Sequence, residues 1–340
     1  MAVLTGINGF GRIGRCVLRA WAESERDDVK IVAVNSRADI SIAAHLLQYD
    51  TTHGKFDADV RVSGDDILIN GHKVRYTRCT DIGGIDWPAT KAQLIMECTG
   101  AFSARDDAAK HLSAGAKQVL ISAPGKNADA TVVYGVNHTL LKNKGLEVVS
   151  AASCTTNCLA PVVQTLHEQF GIIEGWATSV HAFTADQRLL DESHSDLRRA
   201  RAAGMNIIPT KTGAAESIGV IIPELKGRLG GIALRVPVNN VSLVDLTCRL
   251  SSAADVESIN AAFADAADVM PPGVMTVSDA PLVSSDYNHN IHSACVDLTQ
   301  TRVVGGLTRV MAWYDNEWAF ANRMLDVAAA MSDERGSARR

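Results

Sequence analysis

The chain has 340 residues, of which 46% are hydrophobic and 21% charged, and its formal net charge is −5. This length is sufficient for two domains, and the acidic balance argues against nucleic acid or an anionic membrane as the main partner. No apolar run approaches the roughly 20 residues of a membrane span. Seven cysteines at irregular spacing argue against a disulfide framework and favour a reducing compartment. We therefore expect a cytoplasmic protein of two domains.

The first part of the chain, residues 1–152, alternates short apolar segments with amphipathic ones. This alternation predicts βαβ units and a mostly parallel sheet. Helices are predicted over residues 13–25, 40–47 and 104–114, and a hairpin is expected around Asn70 and Gly71. The predicted strands are AVLTGI, VKIVAV, AQLIMECTG, QVLISAP, TVVYGV and LEVVS.

The predicted strands lengthen beyond Cys154, in the segments WATSVHAFT, GIALRVPVNNVSLVDLTCRL and TRVVGGLTRVMAWYD. Long strands of this kind favour a larger, mixed or antiparallel sheet with a few covering helices. An amphipathic helix over residues 318–331 follows, and residues 332–340 are expected to be disordered. The fold class predicted is α/β for the first domain and α+β for the second.

A glycine-rich turn stands between the first predicted strand and the first predicted helix. Gly9, Gly11 and Gly14 have the spacing G-x-G-x-x-G in the segment GINGFGRIGR. In this context the pattern indicates a dinucleotide site, because the helix N-terminus offers free N–H groups and a positive dipole end to a pyrophosphate. A tight turn with a purely structural role is the alternative.

The second predicted strand ends in Asn35, Ser36 and Arg37. An acidic residue usually binds the ribose 2′-hydroxyl of NAD at this point, and here none is present. Asp39 is close but lies too far along the chain. Because Ser36 and Arg37 could bind a 2′-phosphate, we hypothesise a preference for NADP, with NAD as a possible cofactor. The alternative is that Arg37 is an ordinary exposed arginine.

Cys154 stands at a predicted strand-to-helix junction in the segment SAASCTTNCLAP. A helix N-terminus favours the thiolate and so lowers the pKa of a cysteine. His181, in HAFTADQ, is a candidate partner that would activate the thiol for attack on a carbonyl. Alternatively, the segment is a helix cap followed by a buried Cys158, and His181 is a core histidine. No further ligands lie near the two cysteines, so we expect no metal site.

Hydroxyl and basic residues recur between residues 184 and 235. Arginines together with Ser and Thr hydroxyls commonly hold phosphate groups. Arg198 and Arg201, in the segment DLRRARAA, are better explained as a solvated basic run. The candidates for phosphate binding are Thr184, Asp186, Arg199, Thr212, Gly213 and Arg235.

The segments INGFGRIGR, SCTTNCLAP, HAFTADQ, IIPTKTGAA, RVPVNNVSLVDLT and WYDNEW occur in this order along nearly the whole chain. In these segments the chain resembles the phosphorylating glyceraldehyde-3-phosphate dehydrogenases. The resemblance implies a Rossmann domain over residues 1–152 and a catalytic domain on a mixed sheet over residues 153–317. It also implies a helix over residues 318–331 that returns to the first domain, and a homotetramer.

The resemblance further implies a role for each matching residue. Cys154 would attack glyceraldehyde 3-phosphate, and His181 would act as base. The two anions, the substrate phosphate and inorganic phosphate, would be held by Ser153, Thr155, Thr184, Asp186, Arg199, Thr212, Gly213 and Arg235. The cofactor would be bound by Gly9, Phe10, Gly11, Arg12, Ile13, Gly14, Asn35, Ser36, Arg37, Thr99, Gly100, Ser122, Ser193 and Asn316.

Two departures from the family pattern concern the cofactor and the substrate. Family members that use NAD commonly have Leu-Pro where this chain has Glu192 and Ser193, and Ser193 favours NADP. The segments YDTTHGKF, DATVVYGVN and DYNHNIHSACVDLTQTRV resemble the sister family of erythrose-4-phosphate dehydrogenases, which is the alternative activity. That family tends to lose the pair at Thr212 and Gly213, which is intact here, so the phosphorylating activity is favoured. A non-catalytic nucleotide- or RNA-binding protein is the alternative of another class.

Overall fold

The computed structural model describes residues 2–143 and 145–337, with side chains to residue 332. The chain divides into two compact units. Unit 1 comprises Met1–Tyr134, His138–Ser153 and Ala321–Arg340, and unit 2 comprises Gly135–Asn137 and Cys154–Phe320. None of the helices in the described chain combines the length and hydropathy needed to cross a membrane.

Unit 1 is built from strands that alternate with helices, as the sequence predicts. In chain order, its elements before the start of unit 2 are β1 (Val3–Asn8), α1 (Arg12–Glu23), β2 (Val29–Asn35), α2 (Ile40–Gln48), β3 (Tyr49–Asp50), β4 (Gly54–Lys55), β5 (Val60–Ser63), β6 (Asp66–Ile69), β7 (His72–Thr77), α3 (Trp87–Thr90), β8 (Leu94–Glu97), α4 (Arg105–Ala108), α5 (Lys110–Ser113), β9 (Gln118–Ile121), β10 (Ala130–Thr131) and β11 (Val148–Ser150).

The main sheet of unit 1 is parallel over most of its width. Among the described residues its strand order is β10-β11-β9-β8-β1-β2-β7-β6-β5, and only β5, β6 and β7 pair in antiparallel fashion. Ile7, Ile31 and Leu94 on the central strands are buried. Such near-continuous burial is typical of parallel strands that are covered on both faces. Unit 1 is therefore a Rossmann-type α/β domain, and the predicted fold class is confirmed.

Several predicted elements of unit 1 differ from the observed ones. The helix predicted over 104–114 is two short helices, α4 and α5, which meet at Ala109. The strand predicted in TVVYGV is reduced to β10 at its start, because Gly135 has a φ of +88°, which an extended strand cannot accommodate. The predicted hairpin is confirmed: Asn70 and Gly71, with φ of 49° and 83°, turn β6 into β7.

Unit 2 contains longer strands and a long buried helix. Its elements, including the final helix that continues into unit 1, are α6 (Cys154–Phe170), β12 (Ile172–Ala182), β13 (Ile208–Thr210), α7 (Ala214–Ile221), β14 (Leu229–Val236), β15 (Ser242–Leu250), α8 (Val256–Val269), β16 (Met275–Ser278), β17 (Ala294–Asp297), β18 (Arg302–Val304), β19 (Leu307–Tyr314) and α9 (Trp318–Ser337). Short 3₁₀ helices of the two units are Ile82–Gly84, His138–Lys142, Ala203–Met205, Pro223–Leu225, Ser284–Tyr287 and Leu298–Gln300.

The sheet of unit 2 is mixed, as predicted, with the order β13-β14-β12-β15-β19-β17-β16 and β18 paired to β19. β12 runs parallel to β14 and antiparallel to β15. Helix α6 packs on β12, β15, β17 and β19, and buries Leu159, Val162 and Leu166. These contacts hold α6 against the sheet of unit 2.

Two segments predicted as long strands are each divided in the structure. Residues 231–250 form parts of β14 and β15, because Pro237 lacks an N–H donor and Val241 has a φ of 65°. Residues 301–315 turn at Gly305 and Gly306, with φ of 56° and 85°, between β18 and β19. Each break therefore falls at a residue whose backbone cannot continue a strand.

The final helix, α9, is longer than predicted, since it ends at Ser337 and not at residue 331. α9 thus includes residues 332–337 of the segment predicted as a disordered tail, and residues 338–340 lie outside the described residues. The stretch SDERGS follows an Ala-rich turn, and its Glu and Arg have high helix propensity.

Candidate functional site

The glycine turn of unit 1 has the geometry of a phosphate-binding turn. Gly9 has a φ of +96°, and a Cβ there would lie 2.6 Å from the backbone nitrogen of Thr99. A Cβ on Gly14 would lie 2.2 Å from the carbonyl oxygen of Gly9. At Gly11 a Cβ would meet nothing within 4 Å, so the space beside the start of α1 is open to a ligand. The first N–H groups of α1 are therefore accessible to an anion.

A cavity of about 470 Å³ adjoins this turn at the carboxyl ends of β1, β2 and β8. This is where ligands bind in parallel α/β sheets. Many of the predicted cofactor residues are among those that line it, which are Asn8, Gly9, Phe10, Gly11, Asn35, Ser36, Arg37, Ala38, Cys79, Thr80, Ile82, Cys98, Thr99, Ala101 and Phe102. No carboxylate is present among these described lining residues.

Four other predicted cofactor residues of unit 1, Arg12, Ile13, Gly100 and Ser122, are not among those that line this cavity. Arg12 forms a two-pronged ion pair with Asp50, and this pair holds the pKa of Asp50 well below its usual range even though burial acts to raise it. Ile13 follows Arg12 on α1 and is half-buried. Gly100 is exposed with a φ of +73°, and the backbone N–H of Ser122 donates to the carbonyl of Glu97.

The end of β2 presents one buried amide and one exposed cation. The side chain of Asn35 donates to Asn8 Oδ1 at 2.8 Å and to the Cys79 carbonyl at 3.0 Å, and it accepts from the Cys79 N–H at 2.9 Å. Arg37 is exposed at the rim of the cavity. Arg78 Nη2 donates to the Arg37 carbonyl at 3.4 Å. Sequence reasoning missed Arg78, because it directly follows β7, which is remote in sequence from this turn.

Asp39, the acidic residue two positions after Arg37, caps its own helix. It is the N-cap of α2, and its Oδ1 accepts from the Ser41 N–H at 2.9 Å and from Ser41 Oγ at 2.7 Å. Its other oxygen lies 3.7 Å from Arg78 Nη1. These hydrogen bonds lower the pKa of Asp39. The carboxylate of Asp39 is therefore engaged by the start of α2.

In unit 2 the thiol and the imidazole predicted from the sequence lie in contact. Cys154 is the first residue of α6, and His181 is near the end of β12. Cys154 Sγ lies 3.5 Å from His181 Nε2. His181 is also the register partner of Arg235 on the parallel strand β14. The two side chains are therefore in contact, although His181 is also buried, as a core histidine would be.

The orientation of the imidazole follows from its second nitrogen. Nδ1 of His181 lies 2.6 Å from the carbonyl oxygen of Ala182, which can only accept a hydrogen bond. Nδ1 therefore carries the proton, and Nε2 presents a lone pair to the thiol. Arg235 Nη1 donates to the same carbonyl at 3.1 Å and lies 3.2 Å from Nδ1. This geometry prepares the imidazole to accept the proton of Cys154.

The pKa values of this pair differ from the sequence expectation. Burial raises the pKa of the Cys154 thiol and outweighs the lowering by Arg235 and by the N–H groups at the start of α6. Burial and the charge of Arg235 lower the pKa of His181 to about 3. The lowering expected from the helix start is present, but burial has the larger effect on the pKa of Cys154. Both groups are neutral near pH 7, and the thiol needs the imidazole as its base.

Tyr314 is an additional residue of the site that sequence reasoning missed. Its hydroxyl lies 2.8 Å from Thr155 Oγ1 and 3.1 Å from Ser179 Oγ, and its ring meets that of His181 edge-on at 6.0 Å. It thus joins α6, β12 and β19 beneath the thiol. Thr155, predicted to hold an anion, has its hydroxyl in this buried contact. The only sequence signal was the motif WYDNEW, in which Tyr314 resembles any core aromatic residue.

Arg235 and Thr184 provide a cationic and hydroxyl-bearing surface beside the thiol–imidazole pair. Arg235 Nη1 lies 3.4 Å from Thr184 Oγ1. The Nε–H of Arg235 is buried, and within the described part of the chain it has no hydrogen-bond partner. A buried N–H without a partner is costly, so an acceptor from outside the protein is expected there. An anionic substrate group provides one.

Arg199 and Asp186 are bound to each other, with Arg199 Nη1 donating to Asp186 Oδ2. Arg199 Nε also donates to Thr210 Oγ1 at 2.9 Å. Burial acts to raise the pKa of Asp186, but the hydrogen bond and charge of Arg199 are stronger, so the pKa is lowered. Asp186 therefore orients Arg199, while an anion would interact with the guanidinium.

The remaining predicted residues lie at the ends of elements. Thr212 Oγ1 accepts from the Ala214 N–H at 3.2 Å, and Gly213 is the N-cap of α7, so both are placed at a helix start. Ser153 directly precedes Cys154 and is half-buried in unit 1. Ser193 is exposed in unit 2, and its carbonyl accepts from Arg188 Nε at 3.1 Å.

Asn316 is buried, and its side chain is hydrogen-bonded to Ser242, the first residue of β15. Its Oδ1 accepts from Ser242 Oγ at 2.7 Å, and the same hydroxyl accepts from the Ala182 N–H at 3.1 Å. The preceding residue, Asp315, is fully buried and accepts from the N–H groups of Trp318 and His289 at 2.7 Å. The side chain of Asn316 is therefore tied to the backbone next to His181.

The glycine turn on a parallel sheet and the thiol–imidazole pair are together typical of a dinucleotide-dependent oxidoreductase. The comparisons with known proteins agree. The family described as glyceraldehyde 3-phosphate dehydrogenase, NAD binding domain, matches residues 3–105, and its C-terminal domain matches residues 153–316. The chain therefore belongs to the glyceraldehyde-3-phosphate dehydrogenase family.

Similar proteins from several bacteria cover almost the whole chain. The chromosomal glyceraldehyde-3-phosphate dehydrogenase of Cupriavidus necator is 50% identical over 337 residues, which cover 98% of this chain and 100% of that protein. The glyceraldehyde-3-phosphate dehydrogenase of Geobacillus stearothermophilus is 49% identical over 335 residues, covering 98% of this chain and 99% of that protein. That of Pseudomonas aeruginosa is 48% identical over 336 residues, covering 98% and 100%.

Proposed function

We propose that the protein oxidises glyceraldehyde 3-phosphate to 1,3-bisphosphoglycerate, with inorganic phosphate as the second substrate and NADP as the preferred cofactor. The observation that carries this proposal is the pair Cys154 and His181, 3.5 Å apart, with the lone pair of Nε2 directed to the thiol. Residues 1–152 would form the cofactor domain and residues 153–317 the catalytic domain.

The first step is addition of the thiol to the aldehyde. Cys154 Sγ attacks the carbonyl carbon as His181 Nε2 takes the thiol proton, and the proton is then delivered to the carbonyl oxygen to give a hemithioacetal. Arg235, with its unpartnered Nε–H, and Thr184 bind the phosphate of the substrate. Binding of this remote group positions the aldehyde for attack.

The second step is oxidation of the hemithioacetal. His181 removes the proton of the hydroxyl group, and the carbon loses a hydride, which leaves a thioester on Cys154. A nicotinamide dinucleotide, when bound, supplies the hydride acceptor. In unit 1 the open space at Gly11 and the lining of the cavity fit such a group. The family resemblance assigns Asn316 to its carboxamide.

The third step is attack of inorganic phosphate on the thioester. A phosphate oxygen bonds to the acyl carbon, the carbon–sulfur bond breaks, and sulfur leaves as the thiolate that His181 can reprotonate. The anion sites proposed for this phosphate are Ser153, Thr155, Thr212 and Gly213, with Arg199 oriented by Asp186. The helix start at Gly213 supports the assignment, because it offers backbone N–H groups to an anion.

The preference for NADP is supported by charge at the end of β2. Arg37 and Ser36 line the cavity, Arg78 lies beside them, and Asp39 is committed to capping α2. Ser193 would contribute from a neighbouring subunit of a homotetramer. Glu192, whose charge would oppose a 2′-phosphate, lies 3.8 Å from Arg188 Nε. We further propose a cytoplasmic location. A measured preference for NADP would point to a biosynthetic role, as in gluconeogenesis or the Calvin cycle, and a preference for NAD would point to glycolysis.

Replacing Arg37 tests this assignment. We expect Arg37→Ala to weaken NADP binding by about 1–3 kcal/mol, the value of a hydrogen bond to a charged group, and to leave NAD binding nearly unchanged. Dissociation constants of both cofactors from titration calorimetry provide the measurement. Arg61→Ala is the matched control, because Arg61 is an exposed arginine of unit 1 that pairs with Asp59 at 2.9 Å. An equal loss for NAD and NADP would contradict a 2′-phosphate contact.

The activity itself is tested by steady-state kinetics. We expect turnover of glyceraldehyde 3-phosphate to depend on inorganic phosphate, with kcat/KM higher for NADP than for NAD. Turnover of erythrose 4-phosphate without a need for phosphate would instead support the sister activity. An inert Cys154 and no turnover with either sugar phosphate would favour the non-catalytic nucleotide- or RNA-binding protein.

A further inference from the structure

Three polar residues occupy equivalent positions at the carboxyl ends of three adjacent parallel strands in unit 1. Asn8 of β1 is the register partner of Asn35 on β2 and of Glu97 on β8. All three are buried, and Glu97 is only 1% exposed. They lie directly beneath the cavity, since Asn8 and Asn35 line it. A buried carboxylate at this place is costly unless it is fully hydrogen-bonded.

Four donors converge on the carboxylate of Glu97. Its Oε2 accepts from Asn8 Nδ2 at 2.6 Å and lies 3.0 Å from His111 Nε2. Its Oε1 accepts from the Thr99 N–H at 2.7 Å and from the Thr99 hydroxyl. His111 is fully buried, and its Nδ1 accepts from Trp87 Nε1 at 3.1 Å. Because an indole can only donate, Nε2 of His111 carries the proton and donates to Glu97.

The polarity of this chain of hydrogen bonds is fixed at both ends. At one end, the backbone N–H and carbonyl of Cys79 fix the amide of Asn35, which donates to Asn8 Oδ1 and so directs Asn8 Nδ2 at Glu97. At the other end, Trp87 fixes His111. Residue 97 must therefore accept on both oxygens, which only a carboxylate does. A glutamine would set an NH₂ group against a donor in either orientation.

We propose that Glu97 is a positioning residue for the dinucleotide site, which holds Asn8 and Thr99 in the geometry that the cofactor needs. The inference rests on the proposed function of the cavity in unit 1. Glu97 contacts no lining residue that is specific to the 2′-phosphate. Glu97 therefore acts on Asn8, which precedes the glycine turn, and on Thr99. We expect any nicotinamide dinucleotide to meet both segments, so the affinities for NAD and NADP should change equally.

The test is Glu97→Gln, compared with Asp129→Asn as a matched control. Asp129 is another carboxylate of unit 1 that accepts from two N–H groups and from Arg105, and it does not line the cavity. We expect both variants to lower Tm. Only Glu97→Gln should raise the dissociation constants of NAD and NADP, each by tenfold or more, in calorimetry at a temperature well below Tm. The rate of Cys154 alkylation by iodoacetamide in the absence of cofactor should stay within twofold of wild type.

A purely structural role would appear as a lower Tm with an unchanged dissociation constant, and this result would overturn the proposal. Unchanged Tm and unchanged affinity would overturn it as well. If Glu97→Gln does not fold, Thr99→Val removes one donor at an exposed position, and wild-type affinity in that variant would contradict the proposal. If the wild-type protein binds neither NAD nor NADP, both the proposed function and this inference fail. Wild-type binding with an unaffected Glu97→Gln variant refutes the inference alone.

Discussion

Cys154→Ser is expected to reduce phosphorylating turnover by at least about 10³-fold, because a neutral serine hydroxyl is a far weaker nucleophile than a thiol activated by a base. The side chain of Ser is close in size, so the contact with His181 and the start of α6 should persist. Cofactor affinity should remain within twofold of wild type, because the glycine turn and its cavity are formed by unit 1 alone. Steady-state kinetics and calorimetry measure the two quantities separately.

Cys158→Ser is the control that separates this role from that of a cysteine in general. Cys158 lies one helical turn further along α6, is fully buried, and donates weakly to the Ala312 carbonyl at 3.8 Å. We expect it to lose some stability and to keep its turnover. If Cys154→Ser turned over at more than a tenth of the wild-type rate, Cys154 would not be the nucleophile. Equal loss in the two variants would indicate a packing defect in α6.

The fold could be predicted to a large extent because its signals are local. Alternation of apolar strands with helices, the glycine turn and the pair at Asn70 and Gly71 are all contained in short segments. The errors fall where a single backbone angle decides the outcome. The break between β14 and β15 has a sequence signal in Pro237, but Val241 adopts a positive φ that its side chain disfavours, and no propensity predicts that angle. Likewise, the Ala-rich turn in the middle of α9 gave no signal for the end of the helix.

The site could be predicted only in part. Cys154 and His181 stand in recognisable motifs, and their contact followed from chemistry. The residues that orient them come from distant strands and look like core residues in the sequence: Tyr314 resembles any buried aromatic side chain, and Ser242 any strand serine. The raised pKa of Cys154 also could not be predicted, because it depends on burial by the surrounding elements and not on the helix start alone.

His181→Asn is expected to lower kcat/KM by about 10²–10⁴-fold, the usual contribution of a general base. Asparagine can still donate to the Ala182 carbonyl, so the backbone of β12 should be little disturbed. It cannot accept the proton of Cys154 at neutral pH. His167→Asn is the matched control, because His167 lies in the last turn of α6, where its Nδ1 accepts from the Ile172 N–H at 3.0 Å. We expect that control to turn over within twofold of wild type.

The pH dependence of Cys154 alkylation distinguishes loss of a base from loss of structure. The pKa of His181 is lowered to about 3, so above roughly pH 4 the imidazole is neutral and able to accept a proton. The pKa of Cys154 is raised by burial, so without His181 the thiolate fraction at pH 7 is small and grows about tenfold per pH unit until that pKa is reached. Alkylation of His181→Asn should therefore be slow at pH 7 and rise steeply towards pH 9, whereas the wild-type rate should rise less. Parallel profiles for the two proteins would show that the imidazole does not take the thiol proton, and the role of base would then pass to a residue other than His181.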